Sequence, residues 1–137
     1  MPAKDLYHNA VKNALVKDGW TITDDPYIIE WGARKLYIDL GAEQLLAAEK
    51  SNERIAVEIK SFLGRSLMDD LERALGQMVL YRTILSSSEP DRRLFLAIPL
   101  DILELFDDPI GQLLVKSNMI RAICFDPVKE EIVQWLP

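Results

Sequence analysis

One segment, Ile55-Ala56-Val57-Glu58-Ile59-Lys60, constrains this 137-residue chain more than any other. Its alternation puts Ile55, Val57 and Ile59 on one side of a β-strand and Ala56, Glu58 and Lys60 on the other. Charges set among β-branched apolar residues mark a central strand rather than a solvated edge. An ionised glutamate and lysine in that setting are costly unless they are paired or bind a ligand. A second alternating segment, residues 35–40, sets Leu36, Ile38 and Leu40 against Tyr37 and Asp39.

The remaining elements follow from period and punctuation. Tyr7, Val11, Ala14 and Leu15 recur at helical spacing, predicting a helix over residues 4–17 that stops at Asp18-Gly19. Residues 20–23 read as a short strand, and Asp24-Asp25-Pro26 as a turn. Leu45, Leu46, Ala47 and Ala48 suggest a short helix over 43–50, followed by a turn at Ser51-Asn52-Glu53. Ser66 is placed to cap a long helix through residue 85, with Asp69 and Asp70 in its first turn. Its apolar stripe comprises Leu67, Leu71, Leu75, Met78 and Leu85. Residues 93–98 form a strand, 100–106 and 109–117 helices, and 119–125 and 131–136 two closing strands around Asp126-Pro127. The order α-β-β-β-α-β with additions implies an α/β domain over 1–137, its mixed central sheet flanked by helices and extended by C-terminal strands.

Composition excludes several classes. The chain is 49% hydrophobic and 28% charged, ordinary for a folded protein. No apolar run approaches the roughly 20 residues of a membrane helix. The start, Met1-Pro2-Ala3-Lys4-Asp5, lacks a signal-peptide pattern, so a cytoplasmic protein is expected. The single cysteine, Cys124, excludes an internal disulfide and a cysteine-built zinc site and reads as a small core residue. A net charge of −6 counts against binding nucleic acid by bulk electrostatics. The excess acid is uneven: residues 34–93 hold 10 basic and 10 acidic side chains, residues 94–137 only 3 against 7. Contacts to a phosphate backbone are therefore sought in the balanced middle.

Asp39, Glu58 and Lys60 form the constellation with the most chemistry. If their strands are neighbours, two carboxylates and an ammonium converge at one end of a sheet. Such a set suits a hard divalent cation, Mg²⁺ or Mn²⁺, held by Asp39, Glu58 and the Ile59 carbonyl. The cation activates a water and polarises a phosphodiester, and Lys60 orients that water or meets developing charge. The same Glu-x-Lys spacing also places a plain salt bridge on a solvated face, and spacing alone leaves both readings open. Gln77 and Tyr81 share a helix face at i and i+4, with Arg73 nearby. They suit either a nucleic-acid strand or helix–sheet packing.

Asp39, then Glu58-Ile59-Lys60, then Gln77-x-x-x-Tyr81 resembles the PD-(D/E)xK nuclease superfamily, with its αβββαβ restriction-endonuclease-like core. Ile38 stands where that motif has proline, and the first helix offers Asp5 and His8 in place of a glutamate. The resemblance to the XisH family covers nearly the whole chain. It runs through Asp18-Gly19-Trp20-Thr21-Ile22-Thr23, Tyr37-Ile38-Asp39-Leu40-Gly41-Ala42-Glu43, Ile55 to Phe62, and Ala74-Leu75-Gly76-Gln77. It implies a factor for excision of the fdxN element in heterocyst-forming cyanobacteria. Such a factor acts on DNA beside the recombinase XisF and the companion XisI. Separately from the resemblance, a homo-oligomer is a further partner option. No settled biochemical activity is implied.

Other candidates have bland alternatives. His8, at the edge of the first helix's apolar stripe, is a catalytic candidate by the nuclease analogy and otherwise structural. Glu43 serves the site or caps a helix. Ser61 contacts a phosphate or satisfies local backbone. Arg34, Lys35, Arg65 and Arg73 are phosphate contacts or solvated cations. Trp20, Trp31 and Trp135 are packing residues, Trp135 alternatively the edge of an interface. Two functional expectations result: a divalent-metal-dependent DNA endonuclease, or a silent nuclease-like scaffold acting on a recombinase or companion by protein contacts.

Overall fold

A computed structural model describes residues 7–31, 34–36, 45–62 and 66–136. Its main sheet has six strands: β1 (Thr21–Asp24), β4 (Leu45–Lys50), β5 (Glu53–Ile59), β6 (Arg92–Pro99), β7 (Ala122–Asp126) and β8 (Glu131–Leu136), adjacent in that order. The pairs β5–β6 and β6–β7 are parallel, and the other three are antiparallel. β2 (Ile29–Trp31) and β3 (Arg34–Leu36) form a separate antiparallel ribbon. Helix α1 (His8–Lys17) precedes β1, and α2 (Leu67–Ser88) joins β5 to β6. A 3-10 turn (Leu100–Ile102), α3 (Leu103–Asp107) and α4 (Pro109–Lys116) join β6 to β7.

The sheet is covered on both faces, which explains why its inner strands read as nearly continuous apolar runs. On one face Val11 and Leu15 of α1 pack with Trp20, Ile55, Val57, Ile59, Phe95, Ile123 and Phe125. On the other, Leu71, Ala74, Met78, Tyr81 and Leu85 of α2 pack with Ala56, Leu94, Leu96, Ile98 and Cys124. Phe106 of α3 and Leu114 of α4 join this second layer. Crossing β5 residue by residue switches layers, as the alternation of 55–60 requires.

Local chemistry sets most boundaries as expected. The Ser66 side chain accepts from the Asp69 amide at 3.3 Å and caps α2, which runs three residues past the expected end. Leu67, expected in the apolar stripe, stays 44% exposed at the first position of α2. Asp108 caps α4 by accepting from the Gly111 amide at 2.9 Å, with Pro109 following where a missing N–H costs nothing. The Asp126 carboxylate accepts from the amides of Val128 and Lys129 at 2.8 and 3.0 Å and folds the β7–β8 turn. These two bonds, that from Lys129 first, hold its pKa below the ordinary carboxylate value.

Two expectations fail. Residues 45–50 form strand β4, not a helix. They pair with β1 on one side and with β5 on the other, and Ala47 and Ala48 are both fully buried. Burial of both faces erases the alternation that marks a strand, leaving Leu, Ala, Glu and Lys to read as helix formers. The expected neighbour of residues 55–60 was the segment 35–40. The neighbours of β5 are instead β4, through a two-residue turn at Ser51-Asn52, and β6. The described part of the expected partner, β3, pairs with β2. A short hairpin closes at far smaller entropic cost than a crossing from residue 40.

Candidate functional site

β5 is an inner strand, hydrogen-bonded on both sides, and near its end stand two ionisable residues almost sealed from water. Glu58 is 1% exposed and Lys60 5%. Glu58 lies in register with Leu45 of β4 and Leu96 of β6. Just past the strand, the Lys60 amide still reaches the Ala97 carbonyl at 3.5 Å, so the lysine remains tied to β6. Alternation with Ile55, Val57 and Ile59, all packed on the α1 face, directs Glu58 and Lys60 to the α2 face with Ala56. The central-strand expectation for this pair therefore holds, and a solvated surface bridge does not describe it. Charges so placed need partners of opposite sign or a bound ion.

α2 supplies the roof of that layer. Ala74, Met78 and Tyr81 share one apolar cluster with Ala56, and Tyr81 is 2% exposed. Gln77, one turn before Tyr81, is half-buried, and its Oε1 is sealed without a hydrogen bond among the described residues. Arg73 is exposed, and Ser61 is half-buried just beyond Lys60. Phe62 closes the segment with φ at +58°, a left-handed conformation rare for a bulky residue, while its ring is buried beneath α2. No sequence signal pointed to this bend, because phenylalanine carries no preference for it.

Asp39 lies outside the described residues, as do Asp5, Glu43 and Arg65; so do the side chains of Trp31, Arg34 and Lys35. Among the described residues, no group of three or more His, Cys, Asp or Glu is placed to hold a metal ion. The Ile59 side chain is fully buried on the α1 face, turned away from Glu58 as expected.

His8 is engaged elsewhere. It sits in α1, 3% exposed, with Nε2 3.0 Å from Oδ2 of Asp25, which also accepts from Lys12 Nζ at 2.7 Å. Burial pushes the Asp25 pKa up, but hydrogen bonds and charge from Lys12 and His8 outweigh it and hold the pKa below the ordinary carboxylate value. The buried residues of α1 face the side of β5 opposite Glu58. The sequence treated Asp25 only as a turn former. The i, i+4 spacing of His8 and Lys12 was the available clue that one carboxylate could serve both.

Trp20 and Trp135 are packing residues, 5.8 Å apart between ring centroids, with Phe95 5.0 Å from Trp135. Cys124 is fully buried; its thiol is pushed up to about 11 by desolvation and by the charges of Asp101, Asp107 and Asp126.

A family model described as XisH protein matches residues 1–133. This chain belongs to the XisH family. Two solved structures of that kind superimpose on it closely. An XisH family protein from Nostoc punctiforme PCC 73102 is 38% identical, with a TM-score of 0.86 over 97% of this chain and 100% of its own. A fdxN element excision controlling factor protein from Anabaena variabilis is 40% identical, with a TM-score of 0.86 over 98% of this chain and 100% of its own. No curated protein matches the chain. Among the described residues of this XisH-family chain, no helix is long and apolar enough to cross a membrane.

Proposed function

We propose that this XisH-family protein controls excision of a DNA element of the fdxN kind, and that Glu58 and Lys60 belong to a nuclease-like, divalent-cation-dependent site. The observation that carries the reading is the burial of both side chains on one face of an inner strand. The solved factor from Anabaena variabilis, 40% identical over nearly the full length of both chains, supports the excision role. The main-sheet order α1-β1-β4-β5-α2-β6 supports a restriction-endonuclease-like αβββαβ core, with β2–β3 as an inserted ribbon.

In this reading Asp39, Glu58 and the Ile59 carbonyl hold Mg²⁺ or Mn²⁺. The described donors fit a hard cation in kind: one buried carboxylate, with the orphaned Gln77 oxygen on the helix that covers the same layer. The bound ion supplies activation of water and polarisation of a phosphodiester. Lys60 meets charge on the phosphoryl oxygens, and its burial strengthens that interaction relative to water. Ser61, Arg73, Gln77 and Tyr81 position the DNA strand. His8 stays with Asp25.

Calorimetric titration of Mg²⁺ and Mn²⁺ into the wild type and Glu58→Gln, with cleavage assays on linear, nicked and branched DNA, tests this site. The wild type binds the ion and cleaves; Glu58→Gln loses both, and Asp39→Ala behaves likewise. Cleavage indifferent to both substitutions removes the site from consideration.

A second reading, a catalytically silent scaffold, is favoured by the acidic excess of 7 against 3 in residues 94–137. It acts on the recombinase XisF or the companion XisI through protein contacts. Pull-down with each distinguishes the two: association without any DNA cleavage selects the scaffold, and cleavage without association defeats it.

A further inference from the structure

We infer that the α1 face of the sheet carries a second site, which binds a nucleotide. This face lies opposite Glu58, so the inference stands independently of the nuclease-like site. A half-open cavity of about 640 Å³ sits near the starts of β5 and β6, a size that accommodates a small ligand of that class. Its floor is aromatic: Trp20 and Phe95 are 5% and 2% exposed, and half-buried Trp135 meets both rings. Lys50 lies over the Trp20 ring at 5.9 Å, so half-buried Trp135 is the indole that offers a flat apolar surface for a nucleobase.

The charge balance of the walls selects an anion. Lys50 is already spent, donating to the Asp18 carbonyl at 2.6 Å with the Asp18 carboxylate at 3.9 Å. Arg93 and Arg121 take part in no ion pair among the described residues; Arg93 lies over the Phe95 ring at 5.2 Å. Both line the cavity, and neither charge is neutralised there by a carboxylate of the described residues. Arg93 stands in β6 and Arg121 immediately precedes its parallel neighbour β7, so in the cavity their guanidinium forks can serve one phosphate. Glu53, the remaining acid of the cavity, is fitted to accept from a base N–H or a sugar hydroxyl. Phosphate, flat ring and hydrogen-bond donors together specify a nucleoside monophosphate more closely than inorganic phosphate or a nucleoside alone.

The test is titration of the full chain with AMP, GMP, CMP and UMP, the parent nucleosides and inorganic phosphate, followed by calorimetry and tryptophan fluorescence. At least one nucleotide saturates the protein and quenches its fluorescence; nucleoside and phosphate bind roughly tenfold or more weakly. Arg93→Gln and Arg121→Gln, checked for folding by circular dichroism, each weaken the nucleotide by about tenfold, whereas Glu58→Gln leaves it unchanged. Absence of saturation by every nucleotide overturns the inference, as does affinity indifferent to both arginine substitutions. Preference for a short single-stranded oligodeoxynucleotide over every mononucleotide also overturns it, assigning the cavity to a DNA strand. Should the arginine variants unfold, the wild-type ranking of nucleotide, nucleoside and phosphate decides alone.

Discussion

His8 and Asp25, seventeen positions apart, meet at 3.0 Å where α1 passes the end of β1, and Lys12 binds the same carboxylate oxygen at 2.7 Å. Asp25→Asn weakens both charge-assisted bonds, and its expected cost at neutral pH is about 1–2 kcal/mol. The pKa of Asp25 is lowered in the folded state, so its stabilisation is present above the ordinary value of 3.8 and is lost as pH falls below it. Urea unfolding of wild type and Asp25→Asn at pH 7 and again near pH 3 therefore shows a gap that closes in acid. A gap that widens contradicts the arrangement.

Leu96 is the fully buried centre of β6, packed under α2 and in register with Glu58 on β5. Leu96→Ala leaves a cavity that a two-sided sheet cannot collapse around, and about 3–4 kcal/mol of stability is lost. Denaturant midpoints measure this, with an unchanged slope as the sign that the fold itself is retained.

The two helix caps differ in geometry and should differ in worth. Asp108 accepts from Gly111 at 2.9 Å, while Ser66 accepts from Asp69 at 3.3 Å. Asp108→Ala is expected to cost about 1 kcal/mol and Ser66→Ala about half that. Thermal unfolding of the two variants ranks them, and the reverse order removes bond length as the reason.

Cys124 is sealed between β6 and β8, and burial pushes its thiol up to about 11. Because the thiolate is the nucleophile, iodoacetamide at pH 8 leaves the native protein unmodified and labels it promptly in denaturant. The raised folded value means the linked stability is present below about pH 9 and is lost as pH rises toward 11. Labelling of native protein at the denatured rate counts against a closed core here.

Much of the site was legible because strand alternation is a local property. Ile55 to Lys60 fixed which side chains leave on the same face, and their apolar company pointed to an inner strand. The Gln77-x-x-x-Tyr81 face was equally visible, since helical period alone places the two together. The His8–Asp25 contact was not, because nothing in a turn aspartate announces a helix seventeen residues earlier. The Phe62 bend was hidden for the same reason, a backbone conformation imposed by what surrounds it.

The amino-acid order by itself determined α1, α2 with its Ser66 cap, the alternation of β5 and the Asp126 turn, all settled by neighbours a few residues away. Only the tertiary structure decided that residues 45–50 extend between β1 and β5, and that the ribbon of β2 and β3 stands apart. Intrinsic preference separates a helix from a strand by a few tenths of a kcal/mol per ordinary residue. Two ladders of backbone hydrogen bonds and the complete burial of Ala47 and Ala48 outweigh that preference, and they exist only once β1 and β5 are in place.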